Sequence, residues 1–505
     1  MYQSLLTRRY LLSKIMPLLS SLAVAMCTFM VLVTWSVMGG FLNQLLASGR
    51  SLMGDVAISW KYGGIPHYEE LLTRLRADPD VEAATPVIET LALLSLPDGQ
   101  PKVVTVLGVE PESYHAVTGF MDTLWWKPIT EPLPTDKDGN DPRLDATLRD
   151  RLATAEEAGR SLEELNPATQ APEEAAVLGA MVGGMSGFTS EKYMVAEWGF
   201  MPDERVTISV LPLSSRNVAI GMRNRSYPVA NEFRSGFFMC DANWVIVPLR
   251  TLQTMLAFES VPRFDPEWRP GRVVLNEQGE PTPEEPPIIG VEPARVSHLY
   301  IRARDGVTPE MLEPRVEAIF EAFINDHPGL SLPMGWRRAI YPWDRKPEIE
   351  HLVAAVKKET GLVLLIFGFI SFTAVFLVLA IFWAMVSEKT KDIGTLRAIG
   401  ASRGGITWLW LRYGLSIGVV GSVIGVAIAC LVVWNINPIH EWMGRALGLQ
   451  VWDPSVYYFV QIPNKVEPTK ALLVVGVGML SCLLGALVPA LRAAWMDPVK
   501  ALRFE

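Results

Sequence analysis

Enzymatic chemistry needs a nucleophile beside a base, a metal shell, or a glycine-rich phosphate cradle, and this chain offers none of them in a recognisable spacing. Its six histidines, His67, His115, His298, His327, His351 and His440, are scattered, with no H-E-x-x-H pair and no Cys/His spacing suited to zinc. There is no G-x-x-x-x-G-K-[ST], so no P-loop grip on a nucleotide is expected, and no G-x-S-x-G elbow. Gly183 and Gly184, in AMVGGMSG, lack the strand-to-helix setting of a phosphate site. The expectation is a chain with no catalytic residue, no metal and no bound cofactor.

The densest chemistry is physical. SEKTKDIGTLRAIGAS, Ser387 to Ser402, carries charges of both signs and keeps Ile393, Leu396 and Ile399 at helical spacing. Such a helix suits a partner's groove, with the three apolar side chains inserted and Glu388, Lys389, Asp392 and Arg397 paired at the rim to fix register. A basic anchor lying on lipid headgroups is the alternative, but it would favour basic residues alone. The acidic residues, with Gly394 and Gly400, favour docking.

The elements that would position this helix are membrane spans. Half of the 505 residues are apolar and mean hydropathy is +0.23. No charge occurs in 15–49, 360–387, 413–440 or 471–491, and a hydrocarbon core of ~30 Å needs roughly 20 helical residues. The divisions expected are a first helix at 15–45, an outer domain at 46–355, helices at 360–387, 413–438 and 471–491, an outer hairpin at 439–470, and inner segments at 1–14, 388–412 and 492–505. The first run is too long for the apolar region of a secretory signal, despite Arg8, Arg9 and Lys14 before it. Basic residues gather in the three inner segments, which predicts that both termini and the 388–412 loop face the cytoplasm of a multi-pass inner-membrane protein. In the third span Gly414, Gly418, Gly421 and Gly425 form one stripe, and Gly478, Ser481 and Gly485 do so in the fourth; each stripe lets a neighbouring helix approach closely.

The fold class expected is a membrane domain of four helices plus a large α+β domain, extracytoplasmic and inserted between helices 1 and 2. The inner segments and outer hairpin carry +7 against −9 for the chain, leaving −16 on the outer domain, a sign unsuited to nucleic acid. Cys27, Cys430 and Cys482 fall within spans, so Cys240 alone cannot build a disulfide framework. Strands are expected at 55–60, 81–88, 90–96, 102–109, 205–211, 244–248 and 298–304. Helices are expected from Pro66, with Tyr68, Leu71, Leu72 and Leu75 on one face, and from Thr308, with Leu312, Val316, Ile319 and Phe323 on one face and a kink at Pro314. These two strand-helix-strand units could pair as halves of one sandwich. Acidic segments near 130–174 and 263–292 read as insertions too poor in apolar residues to join a core, with a partly helical stretch around 145–165.

EKTKDIGTLRAIGAS after a span, together with the tail PALRAAWMDPVKALRFE at Pro489 to Glu505, resembles the FtsX-like permeases, membrane subunits of the ABC transporter class that includes the MacB and lipoprotein-releasing (LolC/LolE) proteins. SVMGGF at Ser36 to Phe41, GFFMCDANWVIVPLRTLQ at Gly236 to Gln253 and VYYFVQIP at Val456 to Pro463 are similar to the lipoprotein-releasing branch, with Gly39 where that branch more often has Asn. The resemblance covers about 1–110, 176–260 and 297–505, leaving both acidic segments outside. It implies a permease that is not itself an ATPase and that pairs with a second permease copy or paralogue in the bilayer. Beneath it the resemblance places two copies of a separate ATPase holding ATP and Mg, with the 388–402 segment as coupling helix and room for a periplasmic carrier or adaptor. Three outputs fit: release of lipid-anchored cargo, export of the MacB kind, or ectodomain motion that activates an envelope hydrolase.

Overall fold

The computed structural model describes residues 15–60, 63–97, 99, 101–128, 146–166, 168–183, 202, 204–212, 221–264, 273–275, 281–283, 287–328, 330, 339–448 and 462–502. The expected features at Gly184 and 130–145 lie outside them. The chain divides into a helical unit within 1–45, 351–453 and 461–505 and a sheet unit within 46–350 and 454–460. Helix α1 (Ile15–Met53) precedes the sheet in the chain.

Nine strands build the main sheet: β1 (Val56–Ser59), β2 (Val81–Ser95), β3 (Pro101–Val109), β4 (Ala176–Gly179), β5 (Arg205–Val210), β6 (Arg223–Phe233), β7 (Trp244–Pro248), β8 (His298–Ala303) and β9 (Ile340–Pro342). Their order is β9-β1-β8-β2-β3-β7-β4-β6-β5. Strands β3 and β7 run parallel, as do β4 and β6; the other neighbours are antiparallel. Residues 81–88 and 90–96 form one strand rather than the two expected, because Glu89 continues the pairing with β3 between them.

That length has a consequence. The first half of β2 pairs with β8, while Leu93, Leu94 and Ser95 pair with Ser209, Ile208 and Thr207 of β5. The run β2-β3-β7-β4-β6-β5 thus closes on itself. Alternate residues point inward, as a closed sheet requires: Val104 and Val106, Val206 and Ile208, and Val245 and Val247 are all buried in one core. Tyr227 fills the interior, its hydroxyl 3.4 Å from Met255 Sδ.

The two strand-helix-strand units do associate. Strand β8 lies between β1 and β2, with Ile301 opposite Val56 on one side and Ala84 on the other. Helices α2 (Tyr68–Arg76) and, after β8, Pro309–Asp326 bury Leu71, Leu72 and Leu75, and Leu312, Val316, Phe320 and Phe323, into the same core. Arg74 bridges them, 2.7 Å from Asp326 and stacked over Phe323. Pro314 lies inside the second helix, as expected; Ile319 is half-buried and Phe320 takes the buried position.

The first acidic segment departs from expectation. Helix α3 (Pro111–Thr118) packs on the sheet, and α4 (Ala146–Ser161), within the expected insertion, buries Leu152 and Ala155 against Trp126. Asn231 on β6 clasps the contact, its amide donating to the carbonyls of Ala155 (2.8 Å) and Trp126 (2.9 Å). Few apolar residues suffice because an existing wall supplies the rest. Beyond α4, Glu173 pairs with Arg205 and Glu174 with Arg225 at 2.6 Å each. The second segment forms short hairpins, 261–264 with 288–292 and 273–275 with 281–283, and leaves Ile288, Ile289 and Val291 exposed.

Beside Asn231, Glu232 is buried and accepts from Trp126 Nε1 at 2.7 Å, while its Oε1 has no hydrogen-bond partner among the described residues. Burial pushes its carboxyl up to about 7, and the Trp126 bond only partly offsets this. A raised folded value makes the neutral form the native one, so the group's contribution is full below about 4.5 and is lost as pH rises through about 7. Glu232→Gln should therefore stabilise the full chain at pH 8, by on the order of 3 kcal/mol at 1.36 kcal/mol per unit. Thermal unfolding in nanodiscs should show this gap closing as pH is lowered towards 4.5.

Candidate functional site

Among the described residues four helices are long and apolar enough to cross a membrane: α1, then α8 (Pro347–Glu388), α10 (Arg403–Trp434) and α12 (Pro468–Ala494), with α5 (Phe238–Asn243), α6 (Leu249–Leu256) and α7 (Pro309–Asp326) in the sheet unit. Helix α8 begins at Pro347, ahead of the charge-free run. Between α8 and α10 sits α9 (Thr390–Ala398), with α11 (Ile436–Leu447) and α13 (Pro498–Leu502) beyond.

The two ends of α9 are built from local chemistry. Only Lys389 separates it from α8, and Thr390 Oγ1 donates back to the Ser387 carbonyl at 2.7 Å. At its other end Gly400 takes φ +101°, a conformation costly for any residue with a Cβ. Gly400 N donates to Arg397 O at 3.1 Å and Ala401 N to Leu396 O at 3.0 Å, the paired bonds that close a helix around a left-handed residue. Ser402 then caps α10, accepting from Gly405 N at 3.1 Å. I-G-A-S thus stops one helix and starts the next.

The expected apolar face is divided. Ile393 is buried inside the chain with Val386, Ile406, Ala493 and Ala494, so it anchors α9 to the bundle and does not face a partner. Leu396 is half-buried and Ile399 is 80% exposed. Lys389 Nζ and Asp392 Oδ2 pair at 2.8 Å along α9, Glu388 is exposed, and half-buried Arg397 donates to Ala401 O at 3.3 Å, bracing the turn. Helix α13 packs against α9 and buries Ala501. Trp495, 71% exposed with the Arg403 guanidinium 5.0 Å over its ring, and Val499 add apolar surface beside α9. Sequence periodicity missed both, since neither belongs to a stripe; their signal was a large apolar residue in a charged tail.

The glycine stripe of α10 serves two partners rather than one. A Cβ on Gly414 would stand 2.8 Å from that of Ala486, and one on Gly418 3.1 Å from Cys482 Cβ, both on α12. One on Gly421 would stand 2.8 Å from the Ser21 carbonyl oxygen, and one on Gly425 2.5 Å from that of Ala25, both on α1. On α12, Gly478 faces Ser422 and Thr28, Gly485 faces Val375 and Val378 of α8, and Ser481 is buried. A crevice of about 280 Å³ opens between α1, α8 and α12, walled mainly by apolar side chains including Val24, Val31, Phe367 and Val474. No group of three or more His, Cys, Asp or Glu able to hold a metal occurs among the described residues.

Residues 364–498 match the model of the FtsX-like permease C-terminal family. The chain is 24% identical over 215 residues to the lipoprotein-releasing system transmembrane protein LolC of Neisseria meningitidis serogroup B, covering 43% of this chain and 50% of that protein. It is 26% identical over 117 residues to LolE of Haemophilus influenzae, covering 23% and 28%, and 26% identical over 166 residues to the uncharacterised ABC transporter permease YknZ of Bacillus subtilis, covering 31% and 36%. The match thus spans about half the length of the LolC relative.

Replacing Gly425 with Leu must push α1 away from α10, so it should destabilise the bundle by roughly 3 kcal/mol, within the overpacking range. Gly476→Leu, where a Cβ meets nothing within 4 Å, should change stability by less than about 0.5 kcal/mol. Denaturant unfolding of the full chain in mixed micelles distinguishes them.

Proposed function

We propose that this chain, which carries an FtsX-like permease domain at 364–498 and resembles the LolC and LolE proteins, is the membrane subunit of an ABC transporter driven by a separate ATPase chain. Two copies of the ATPase would bind on the cytoplasmic side, which the basic residues of 388–412 favour for α9, and a second permease copy or paralogue would complete the assembly. The observation that carries the reading is Ile399, an apolar side chain left 80% exposed at the C-cap of a helix that Ile393 fixes to the bundle and that Gly400 and Ser402 couple to α10. Closure of an ATPase groove on Ile399, Trp495 and Val499 would be passed into α8 and α10 through α9. Glu388 and Arg397 at the rim would fix register.

The cargo proposed is a lipid-anchored protein, released from the outer face of the inner membrane. Three acyl chains contain on the order of 45 methylenes, and exposing them to water at ~0.8 kcal/mol each would cost roughly 35 kcal/mol. Coupling between sites is typically ~1–3 kcal/mol, so the chains must stay in apolar surroundings throughout. The crevice between α1, α8 and α12 offers an apolar stop adjoining the bilayer. Export of another cargo is the second reading, and the match to YknZ, an uncharacterised ABC transporter permease, is compatible with either cargo.

Two measurements test this. Ile399→Asp should leave the folded chain intact and weaken ATPase capture by at least ~30-fold, the loss expected of an interface hot spot. Ile393→Asp should instead lower the stability of the bundle, and capture unchanged in Ile399→Asp would sink the docking role. For the cargo, depletion of the partner ATPase should trap acylated proteins in the inner membrane. An unchanged lipoprotein distribution would transfer the weight to export.

A further inference from the structure

Helix α11 follows α10 with Asn435 alone between them, and none of its residues is buried. At 100° per residue, Ile436, Ile439, Trp442, Met443, Ala446 and Leu447 fall on one face, while Asn437, His440, Glu441 and Arg445 fall on the other. Trp442 is 63% and Leu447 59% exposed. A large apolar face left bare next to a span demands an occupant.

The contacts of the polar face indicate which one. Asn437 makes two bonds to a single residue, its Nδ2 donating to Ile462 O at 3.0 Å and its Oδ1 accepting from Ile462 N at 2.9 Å. The chain that leads into α12 is therefore fastened to the polar side, and the apolar side is turned away from it. Trp434, exposed at the end of α10, places an interfacial aromatic where α11 starts, and Trp442 carries a second one two turns on. Glu441 and Arg445 pair at 3.0 Å, so the polar face offers little net charge to anionic headgroups. Gly448, at φ +64°, stops the helix after three turns.

We propose that α11 is an interfacial anchor whose apolar face is embedded among the lipids of the leaflet in which α10 ends, with Ile439 and Met443 at its centre and Trp442 at its edge. The occupant is the bilayer itself, held through apolar burial rather than attraction to anionic lipid. The anchor is independent of the cargo and of any ATPase. Through Asn437 and Ile462 it ties the outer ends of α10 and α12 to a fixed depth.

The test uses the full chain in vesicles of phosphatidylethanolamine and phosphatidylglycerol, with a nitroxide on a cysteine introduced one at a time at Ile439, Trp442, Met443, Glu441 or Arg445. A sample without the introduced cysteine supplies the background from the native thiols. Labels at 439, 442 and 443 should collide with oxygen in preference to a water-soluble nickel chelate and report a depth of about 5–10 Å below the headgroups. Labels at 441 and 445 should show the opposite preference. The same sign pattern should persist in phosphatidylcholine vesicles. Equal access of the nickel chelate to all five sites would overturn the proposal, and so would immobilised labels shielded from both colliders, which would mean that a protein surface, such as a second copy, covers the face. Loss of the pattern in phosphatidylcholine would overturn the apolar mode of anchoring.

Discussion

Strand β1 is the constraint on which the sheet unit depends. Among the described residues it is the first strand of the main sheet and lies between β8 and β9, the last two. The backbone leaving α1 turns at Gly54, at φ +73°, where a Cβ would stand 2.6 Å from the Ile301 carbonyl oxygen. Asp55, fully buried, then binds both neighbours: its N donates to Ile301 O at 2.8 Å, its Oδ2 accepts from Ala303 N at 2.8 Å, and its carbonyl accepts from Trp343 N at 3.1 Å. Close by in the chain, buried Lys346 donates to Glu89 Oε2 at 2.7 Å, which also accepts from the Tyr300 hydroxyl at 3.1 Å. A buried charge is tolerated only with its partner, so this pair fixes the residue immediately before α8 to the centre of β2.

The helical unit answers a different physical problem. Lipid tails are as apolar as leucine, so burial from lipid supplies little drive for helices to associate, and close backbone approach with many van der Waals contacts must do so. Helix α10 provides it twice, towards α12 through Gly414 and Gly418 and towards α1 through Gly421 and Gly425. A single helix thus sets the spacing of two neighbours at two depths. Its amino end is capped by Ser402 next to α9, so the helix that arranges the bundle is also the one α9 leads into.

Much of this was legible in the sequence, for identifiable reasons. The spans announced themselves because an uncharged run of that length has few other fates. The α2 face was readable because Tyr68, Leu71, Leu72 and Leu75 repeat at helical spacing and are all buried. The closure between Leu93–Ser95 and Thr207–Ser209 was not readable, since pairing between strands more than a hundred residues apart leaves no periodic mark in either. The core role of α4 was hidden because Leu152 and Ala155 complete a pocket whose other wall, Trp126, lies elsewhere in the chain. On α9, helical spacing brought Ile393, Leu396 and Ile399 together but could not say which side the bundle would take.

The closed half of the sheet also governs how the protein behaves in company. An unpaired strand edge is a template on which another chain can add, and joining β5 to β2 removes that template from one of the sheet's two end strands where they meet. Of the main sheet's two ends, β5 is thus paired on both sides over the residues that meet β2, and the other end is β9. That strand is three residues long and finishes in Pro342, which has no amide proton to offer. In a crowded compartment such a sheet gives little purchase for polymerisation.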